Sequence, residues 1–298
     1  MMRSFVHAAA FAMFAAMVLS RPAYAATSAP VLTVESVLSP AWVERANGTR
    51  EPLAAGMVLG NREKIHTGDG GKAMLRLAEG SAIKLGESAM LAVDNLVQKQ
   101  DAKGTVMGAS LDVVRGAFRF TTGLLGKSSA RRDVDVKVRA VTAGIRGTDV
   151  WGKSESDRDI VCLLEGRIDV THGPAQFTMQ DPLSFYIAPL KGKAAPPSRV
   201  TTEQVKEWSA ETEIEPRSGA VRRGGTASVT AASGDERTAT AQRAKLRDSG
   251  FPAEVVRVGE GASARHEVRI ASLPDAADAA ALADRLKRLG FAQATVSR

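Results

Sequence analysis

The sequence from residue 72 to residue 85, Lys72-Ala73-Met74-Leu75-Arg76-Leu77-Ala78-Glu79-Gly80-Ser81-Ala82-Ile83-Lys84-Leu85, has the pattern of a β-hairpin. Apolar residues alternate with polar or small ones before the Glu79-Gly80 pair and again after it, so each half turns one apolar face to a core. Glycine adopts the left-handed backbone of a tight turn at little steric cost. Gly80 is therefore predicted to reverse the chain between two strands.

Short strands separated by glycines continue on both sides of this hairpin. The clearest is Asp133–Arg139, with valines on one face and charged residues on the other. Residues Asp159–Val170 break at Glu165-Gly166 and are predicted to form two strands. Residues Leu111–Phe120 are predicted to form a strand pair, with a turn or bulge at their single glycine. Many short strands and almost no helical periodicity predict an all-β sandwich, barrel or roll over residues 26–189.

The last 73 residues contain an internal repeat: Ser249-Gly250-Phe251 returns 40 positions later as Leu289-Gly290-Phe291. Each Gly-Phe pair ends a helical pattern, and the glycine fits the position just past a helix end. The first helix is predicted over Asp235–Asp248, and Asp275 is predicted to cap the second. Flanking strands are predicted at Thr226–Ala232, Pro252–Val258, His266–Ala271 and Ala292–Ser297. The order βαββαβ predicts a small α+β domain over 226–298, the split βαβ or ferredoxin-like arrangement with both helices on one face of an antiparallel sheet.

Residues 190–225 differ in composition from the regions on either side and are predicted to be a linker. Its first part, rich in Lys, Ala and Pro, is typical of a flexible spacer. A short helix is predicted over Thr201–Glu211, with its first residue as the cap and Trp208 packing back onto the β domain. Residues Ile214–Gly225 are predicted to form a mobile tether. The alternative, one continuous domain, requires a long structureless insertion, which is uncommon.

The N-terminus has the three parts of a secretory signal peptide. A basic start at Arg3 is followed by an apolar run from Phe5 to Leu19 and by the small-residue site Ala23-Tyr24-Ala25. The run is too short and too rich in alanine for a membrane span, which needs about 20 residues. We therefore predict that residues 1–25 are removed by cleavage between Ala25 and Ala26, that the protein is periplasmic, and that no stable membrane span remains.

The composition argues against several classes of function. The formal charge of +7 falls to +5 without the leader and is spread thinly, so no nucleic-acid surface is predicted. One cysteine rules out a disulfide framework, and the four histidines lie too far apart for a metal site. Cys162 lies in an apolar run and is interpreted as a buried small hydrophobe. No catalytic motif stands out, so we predict no enzyme, no catalytic residue, no metal and no cofactor.

The β-rich region resembles the FecR-type domain. The resemblance rests on segments in family order at Pro52–Leu59, Ile65–Ala73, Leu77–Gly86, Gly116–Gly123, Gly144–Val150 and Leu164–Ile168. It implies an extracytoplasmic, non-enzymatic β domain, found in iron-signalling regulators and in other envelope proteins, with a small ligand or an envelope protein as its partner. Within these segments Arg146 and Asp149 are interpreted as a turn-stabilising ion pair, with a binding role as the alternative.

The C-terminal region resembles the SPOR domain, a periplasmic module that binds peptidoglycan glycan strands stripped of their peptides. The matching residues are Val268–Leu273, the alanine-rich second helix and Leu286–Phe291. The family usually begins with an aromatic and a Gln-containing strand, where this chain has Thr226–Thr230. RNA-binding modules share the same element order, but they stack bases on aromatics of the central strands, and neither inner strand here carries one.

Four residues of the C-terminal region are predicted to contact the glycan. If Val268 faces the helices, Glu267 and Arg269 point to the other face of the sheet, where Gln293 and Thr295 of the last strand join them. Sugar hydroxyls and N-acetyl carbonyls need such donors and acceptors. The alternative is a solvated sheet face without a ligand.

These observations lead to one hypothesis and one competitor. The first is an exported, two-domain, non-catalytic envelope protein that is held on peptidoglycan by its C-terminal domain and binds a ligand or protein through its β domain. The competitor is a periplasmic signalling or scaffold protein of the FecR type without glycan binding. The ligand of the β domain is not identified by the sequence.

Overall fold

The computed structural model describes residues 31–101, 104–123, 131–145, 147–261 and 264–297. The predicted signal peptide, with Ala25 and Ala26 at its cleavage site, lies outside these ranges, as does Arg146. Among the residues that are described, no helix has both the length and the apolar character needed to cross a membrane.

The described residues form 22 strands and three helices. The strands up to residue 189 are β1 (Leu32–Leu38), β2 (Ala41–Glu44), β3 (Arg50–Pro52), β4 (Val58–Leu59), β5 (Glu63–Thr67), β6 (Lys72–Leu77), β7 (Ala82–Leu85), β8 (Met90–Asp101), β9 (Gly104–Thr121), β10 (Arg131–Val138), β11 (Val141–Ile145), β12 (Asp149–Ser154), β13 (Arg158–Glu165), β14 (Ile168–His172), β15 (Ala175–Met179) and β16 (Ser184–Pro189). The remaining elements are β17 (Ser198–Arg199), α1 (Thr202–Thr212), β18 (Val221–Arg222), β19 (Ala227–Gly234), α2 (Glu236–Asp248), β20 (Glu254–Val258), β21 (Arg265–Leu273), α3 (Ala276–Arg288) and β22 (Thr295–Val296).

Two sheets build the β domain and share one hydrophobic core. In the first sheet, β1 pairs with β6 on one side and with β4 and β18 on the other, and the order continues β6–β7–β9–β12–β13–β16–β17. The second sheet has the order β3–β2–β5–β8–β9–β10–β11–β14–β15. Only the β9–β10 pair is parallel among these described pairings. The all-β domain predicted from the sequence is therefore confirmed.

The hairpin that first indicated this fold forms as predicted. Strands β6 and β7 pair with Ala73 opposite Leu85 and Leu75 opposite Ile83, and all four side chains are buried. Gly80 between the strands has a φ of +96°, the left-handed conformation that the turn requires. Alternation fixed the register here because a one-residue slip would expose the whole apolar set.

Strand β9 corrects the prediction of a strand pair over Leu111–Phe120. It is one strand of 18 residues that pairs with β8 and β10 in its first part and with β7 and β12 in its last part, so it joins the two sheets. The predicted bulge is present: register shifts near Arg115, and Gly116 has a φ of +84°. A Cβ on Gly116 would lie 2.6 Å from the Ala89 Cα, so only glycine fits. The chain bends here without ending the strand.

Helix α1 covers the outer face of the first sheet. Its cap, Thr201, accepts a hydrogen bond from the Gln204 backbone N–H, as the sequence predicts. The Trp208 ring stacks on Trp151 of β12 at 4.8 Å between centroids, which confirms that this residue packs back onto the β domain. Cys162 lies fully buried in the same small cluster. Burial raises the pKa of its thiol to about 12, which keeps it protonated and unreactive.

Glu213, the residue after α1, forms ion pairs with the same sheet. The Glu213 carboxylate accepts from Lys84 at 2.5 Å and from Arg119 at 3.1 Å. Arg119 also pairs with Asp149 at 2.7 Å, and the Thr121 hydroxyl donates to the same carboxylate at 3.3 Å. Bidentate pairs between an arginine and a carboxylate are among the strongest polar contacts at a partly buried site.

The expectation of a mobile tether is wrong for the end of the linker. Residues Val221–Arg222 pair antiparallel with Ser36 and Val37 of β1, and Val221 is buried. The Arg223 backbone N–H donates to the Glu35 carbonyl at 2.8 Å and extends this contact. A two-residue strand in a polar segment has no periodicity to predict it. Its pairing partner lies more than 180 positions away.

The C-terminal domain has the predicted fold. Its sheet has the order β20–β21–β19–β22, all antiparallel, and α2 and α3 pack against it. Asp235 and Asp275 cap the two helices through their carboxylates. Val268 and Ile270 of β21 are buried under the helices.

The two domains contact each other where the first repeat ends. The Ala41 N–H donates to the Gly250 carbonyl at 3.2 Å, and a Cβ on Gly250 would lie 2.8 Å from the Trp42 ring. Gly219 donates to the Asp278 carboxylate of α3 at 3.0 Å. These contacts and the β18 pairing join the domains into one packed body.

The two repeated glycines offer a matched test of this contact. Gly250 and Gly290 have φ values of +78° and +93°, so alanine at either position costs about 1 kcal/mol of folding free energy. Nothing lies within 4 Å of a Cβ at Gly290, whereas at Gly250 the Cβ meets Trp42. We expect Gly250→Ala to lose about 2 kcal/mol more than Gly290→Ala in denaturant unfolding. We also expect faster hydrogen exchange at the Ala41 amide only in the Gly250 variant. Equal losses would contradict the interface.

The rate at which Cys162 is labelled tests whether α1 shields this part of the first sheet from solvent. We expect Trp208→Ala to lower the free energy of unfolding by about 2 kcal/mol and to raise the rate at which a thiol reagent labels Cys162. Leu190→Ala, at an exposed position, is the control and is expected to change neither. An unchanged labelling rate in the Trp208 variant would show that α1 does not protect the thiol.

Candidate functional site

The four residues predicted to contact a ligand lie together on the face of the C-terminal sheet opposite its helices, here called the open face. Glu267 and Arg269 of β21, Gln293 and Thr295 all line one cavity of about 740 Å³. The other residues of its wall are Thr230, Ala232, Ser233, Val258, Arg265, Val296 and Ser297. The structure therefore brings the predicted set together, and it adds residues from β19 and β20.

The Glu267 carboxylate accepts most of the hydrogen bonds between side chains of the cavity wall. Its side chain is 7% exposed, and Arg265 and Arg269 each donate two hydrogen bonds to it at 2.7 to 3.0 Å. The Thr230 hydroxyl donates a fifth at 3.2 Å. Burial opposes the charge of this carboxylate, but the hydrogen bonds to Arg269 and Arg265 outweigh it, and the pKa of Glu267 lies below its usual range.

This arrangement gives Glu267 and the arginines different roles. Because its oxygens are already occupied by five donors, Glu267 orients the two guanidinium groups instead of meeting a ligand directly. Arg265 is 63% exposed and Arg269 29%, and each guanidinium has five N–H donors, so donors remain for a ligand. With one carboxylate between two guanidiniums, this cluster carries a net positive charge.

Thr230 and Ser297 were missed by sequence reasoning. Their hydroxyls lie 2.9 Å apart in the cavity wall, and Thr230 belongs to the first strand of the domain. The register between β19 and β21 shifts twice, after Ala227 and after Thr230. A shift of one residue reverses which side chains face the cavity, so alternation alone cannot assign this strand.

A second cavity of about 530 Å³ lies on the β domain, beside the bulge of β9 and the end of β12. Its charged wall residues are Glu87, Arg115, Arg139, Lys153, Glu155 and Glu211. Below it, the fully buried Asp159 accepts from Ser154 at 2.9 Å and pairs with Arg139 at 3.1 Å. The cavity offers both charges to a polar ligand.

The described residues were also compared with what a metal site or a reactive thiol requires. In the ranges given above, no group of three or more His, Cys, Asp or Glu side chains is placed to hold a metal ion. The cysteine is buried and protonated, as described for α1.

The Glu267 cluster predicts how stability responds to pH. Because the folded pKa is lowered, its contribution is present above the ordinary glutamate pKa and is lost as pH falls through the folded value. We expect Glu267→Gln to unfold with about 1 to 3 kcal/mol less free energy at neutral pH and to show a flatter loss of stability on acidification. The control is Glu254→Gln, whose carboxylate is 62% exposed and pairs with Arg243 and Arg247. Identical pH profiles for the parent and Glu267→Gln would contradict this role.

Comparison with solved structures finds a distant likeness in fold. Two crystal structures of a "putative anti-sigma factor" from Parabacteroides distasonis align with 49% of this chain at 13% identity. Their TM-scores are 0.40 and 0.38, and this chain spans less than two thirds of each, 64% and 63%. A search of curated proteins finds no match.

Family models match both parts of the chain. Residues 63–169 match the model described as FecR protein, and residues 229–298 match the model described as SPOR domain. The first range lies inside the two-sheet domain, and the second contains the open face with its arginine pair. The chain therefore combines a FecR-type domain with a C-terminal SPOR domain.

Proposed function

We propose that this protein is an exported, non-catalytic component of the cell envelope and that the open face of its SPOR domain binds peptidoglycan glycan strands stripped of their peptides. SPOR domains bind peptidoglycan, and both domain families are non-catalytic and typical of envelope proteins. The observation that carries the proposal is the 740 Å³ cavity that collects Glu267, Arg269, Gln293 and Thr295 on one sheet face.

The chemistry of the cavity suits a sugar polymer. Hydroxyls of Thr230, Thr295 and Ser297, together with the Gln293 amide, supply donors and acceptors for ring hydroxyls and acetamido groups. Removing the peptide from a muramic acid leaves a free lactyl carboxylate, and the arginine pair favours such an anion. An intact strand hides this carboxylate in an amide bond. The cavity therefore favours the stripped strand.

Recognition on this face is polar. None of the described residues that line the cavity is aromatic, so the stacking platform common in sugar sites is replaced by hydrogen bonds. Such contacts are individually worth about 0.5 to 1.5 kcal/mol, or about twice that with a charged partner. Useful affinity then requires several sugar units bound at once.

Export is part of the proposal. The basic start, apolar run and Ala23-Tyr24-Ala25 of the leader support cleavage before Ala26 and a periplasmic location. The FecR-type domain, with its 530 Å³ cavity of mixed charge, is proposed to bind a small ligand or an envelope protein.

Binding to sacculi tests the SPOR part of the proposal. We expect the protein to be retained on sacculi whose peptides have been removed and to be retained weakly on intact sacculi. Arg265→Ala is expected to lower the affinity for stripped glycan about tenfold, because a hydrogen bond from a charged donor contributes about 1.5 to 3 kcal/mol. Arg269 still holds Glu267 in this variant, so folding is preserved.

The matched control is Arg257→Ala. It removes the same charge from the neighbouring strand β20, at an exposed position that does not line the cavity. An equal loss in both variants would indicate nonspecific attraction to an anionic polymer. Absence of retention at every ionic strength would overturn glycan binding and favour the FecR-type signalling or scaffold role.

A further inference from the structure

A smaller cleft of about 270 Å³ lies between the two domains, at the end of the open face. One wall belongs to the FecR-type domain and the linker, and the other to the SPOR sheet; the main residues are Ala54, Ala55, Val221, Val256, Arg269 and Ala271. Ala54 and Ala55 belong to the turn between β3 and β4. Residues more than 200 positions apart, such as Ala54 and Val256, therefore meet at this cleft.

The cleft continues the cavity of the proposed glycan site. Arg269 lines both spaces, and the SPOR wall of the cleft comes from the same sheet face as the cavity. The alternation of β21 puts Ala271 on the same side as Glu267 and Arg269. A strand that lies along the cavity and passes Arg269 therefore runs into the wall formed by the other domain.

The wall is held in place by the backbone of β1. The Gly56 N–H donates to the Val34 carbonyl at 2.8 Å, and the Val34 N–H donates to the Met57 carbonyl at 2.9 Å. Strand β18 pairs with the same strand two residues further on, so Val221 and the turn share one support. A preorganised wall gives affinity because little freedom is lost on binding.

The composition of the cleft indicates what fits it. Its walls are mostly small apolar side chains, with Arg269, Glu254 and two serines as the polar groups. Its volume lies below the ~300–1,000 Å³ of sites for drug-sized molecules, so it suits one unit of a polymer. An acetamido sugar has both a methyl group for the alanine wall and polar atoms for Arg269.

We propose that the FecR-type domain completes the glycan-binding groove: Ala54, Ala55 and Val221 form an additional subsite for one acetamido sugar of the strand bound on the SPOR open face. This inference rests on the proposed function, since it extends the same site. It assigns the β domain a direct role in glycan recognition that the SPOR fold alone does not contain.

The test uses the full chain and oligosaccharides released from peptide-free glycan. We expect the parent protein to bind a long oligosaccharide more tightly than a disaccharide. Ala55→Phe fills the cleft from the FecR side and is expected to weaken binding of the long oligosaccharide about tenfold, with the disaccharide affinity unchanged. Ala175→Phe, at an exposed hairpin position of β15, is the matched control and is expected to bind both like the parent.

A second variant distinguishes filling of the cleft from distortion of the turn at Ala55. Ala271→Phe fills the same cleft from the SPOR side at an exposed position, without altering the turn at Ala55. If both cleft variants bind the long oligosaccharide no more tightly than the disaccharide, the subsite is supported. If all variants keep the parent's length dependence, the subsite is overturned while SPOR glycan binding stands. If the parent binds no oligosaccharide, the proposed function fails and this inference with it.

Discussion

The pairing of Val221 and Arg222 with β1 is the constraint on which the arrangement of the two domains depends. β1 is an inner strand of the first sheet, held by β6 along its length on one side. The linker returns to its other side, beside the turn that contains Ala54. The SPOR domain that follows is thereby set against the FecR-type domain. The contacts of Gly250 with Trp42 and of Gly219 with Asp278 then close the interface.

Local signals made the SPOR domain predictable from the sequence. Helix caps at Asp235 and Asp275 and the glycines that follow each helix are short-range devices whose geometry is encoded within a few residues. The face of β21 followed from its alternation, so Glu267 and Arg269 could be placed in the cavity. The hairpin of β6 and β7 was predictable for the same reason.

Long-range pairings could not be read from the sequence. The linker strand at Val221 is too short to show a period, and β9 reads as two strands because Gly116 interrupts a pattern that the backbone in fact carries through. The face on which Thr230 lies could not be predicted by alternation, because the register of β19 against β21 shifts twice. Ala54 and Ala55 have no reactive or charged group to mark them in the sequence, since their proposed role comes only from the residues that the fold places opposite them.

The chemistry of the open face explains why the position of the second domain matters. Glu267 uses its carboxylate to hold two arginines and a threonine, so in the proposed binding mode the ligand meets their remaining donors, the Gln293 amide and a few hydroxyls. Without an aromatic platform in the described cavity wall, each proposed contact adds little, so we expect affinity to grow with the number of sugar units bound. A rigid wall at one end of the groove adds contact at a small entropic cost. In the proposed binding mode, the ion pairs of Glu213 therefore act on binding through geometry, while the pairing of β18 holds Val221 in the wall that the sugar meets.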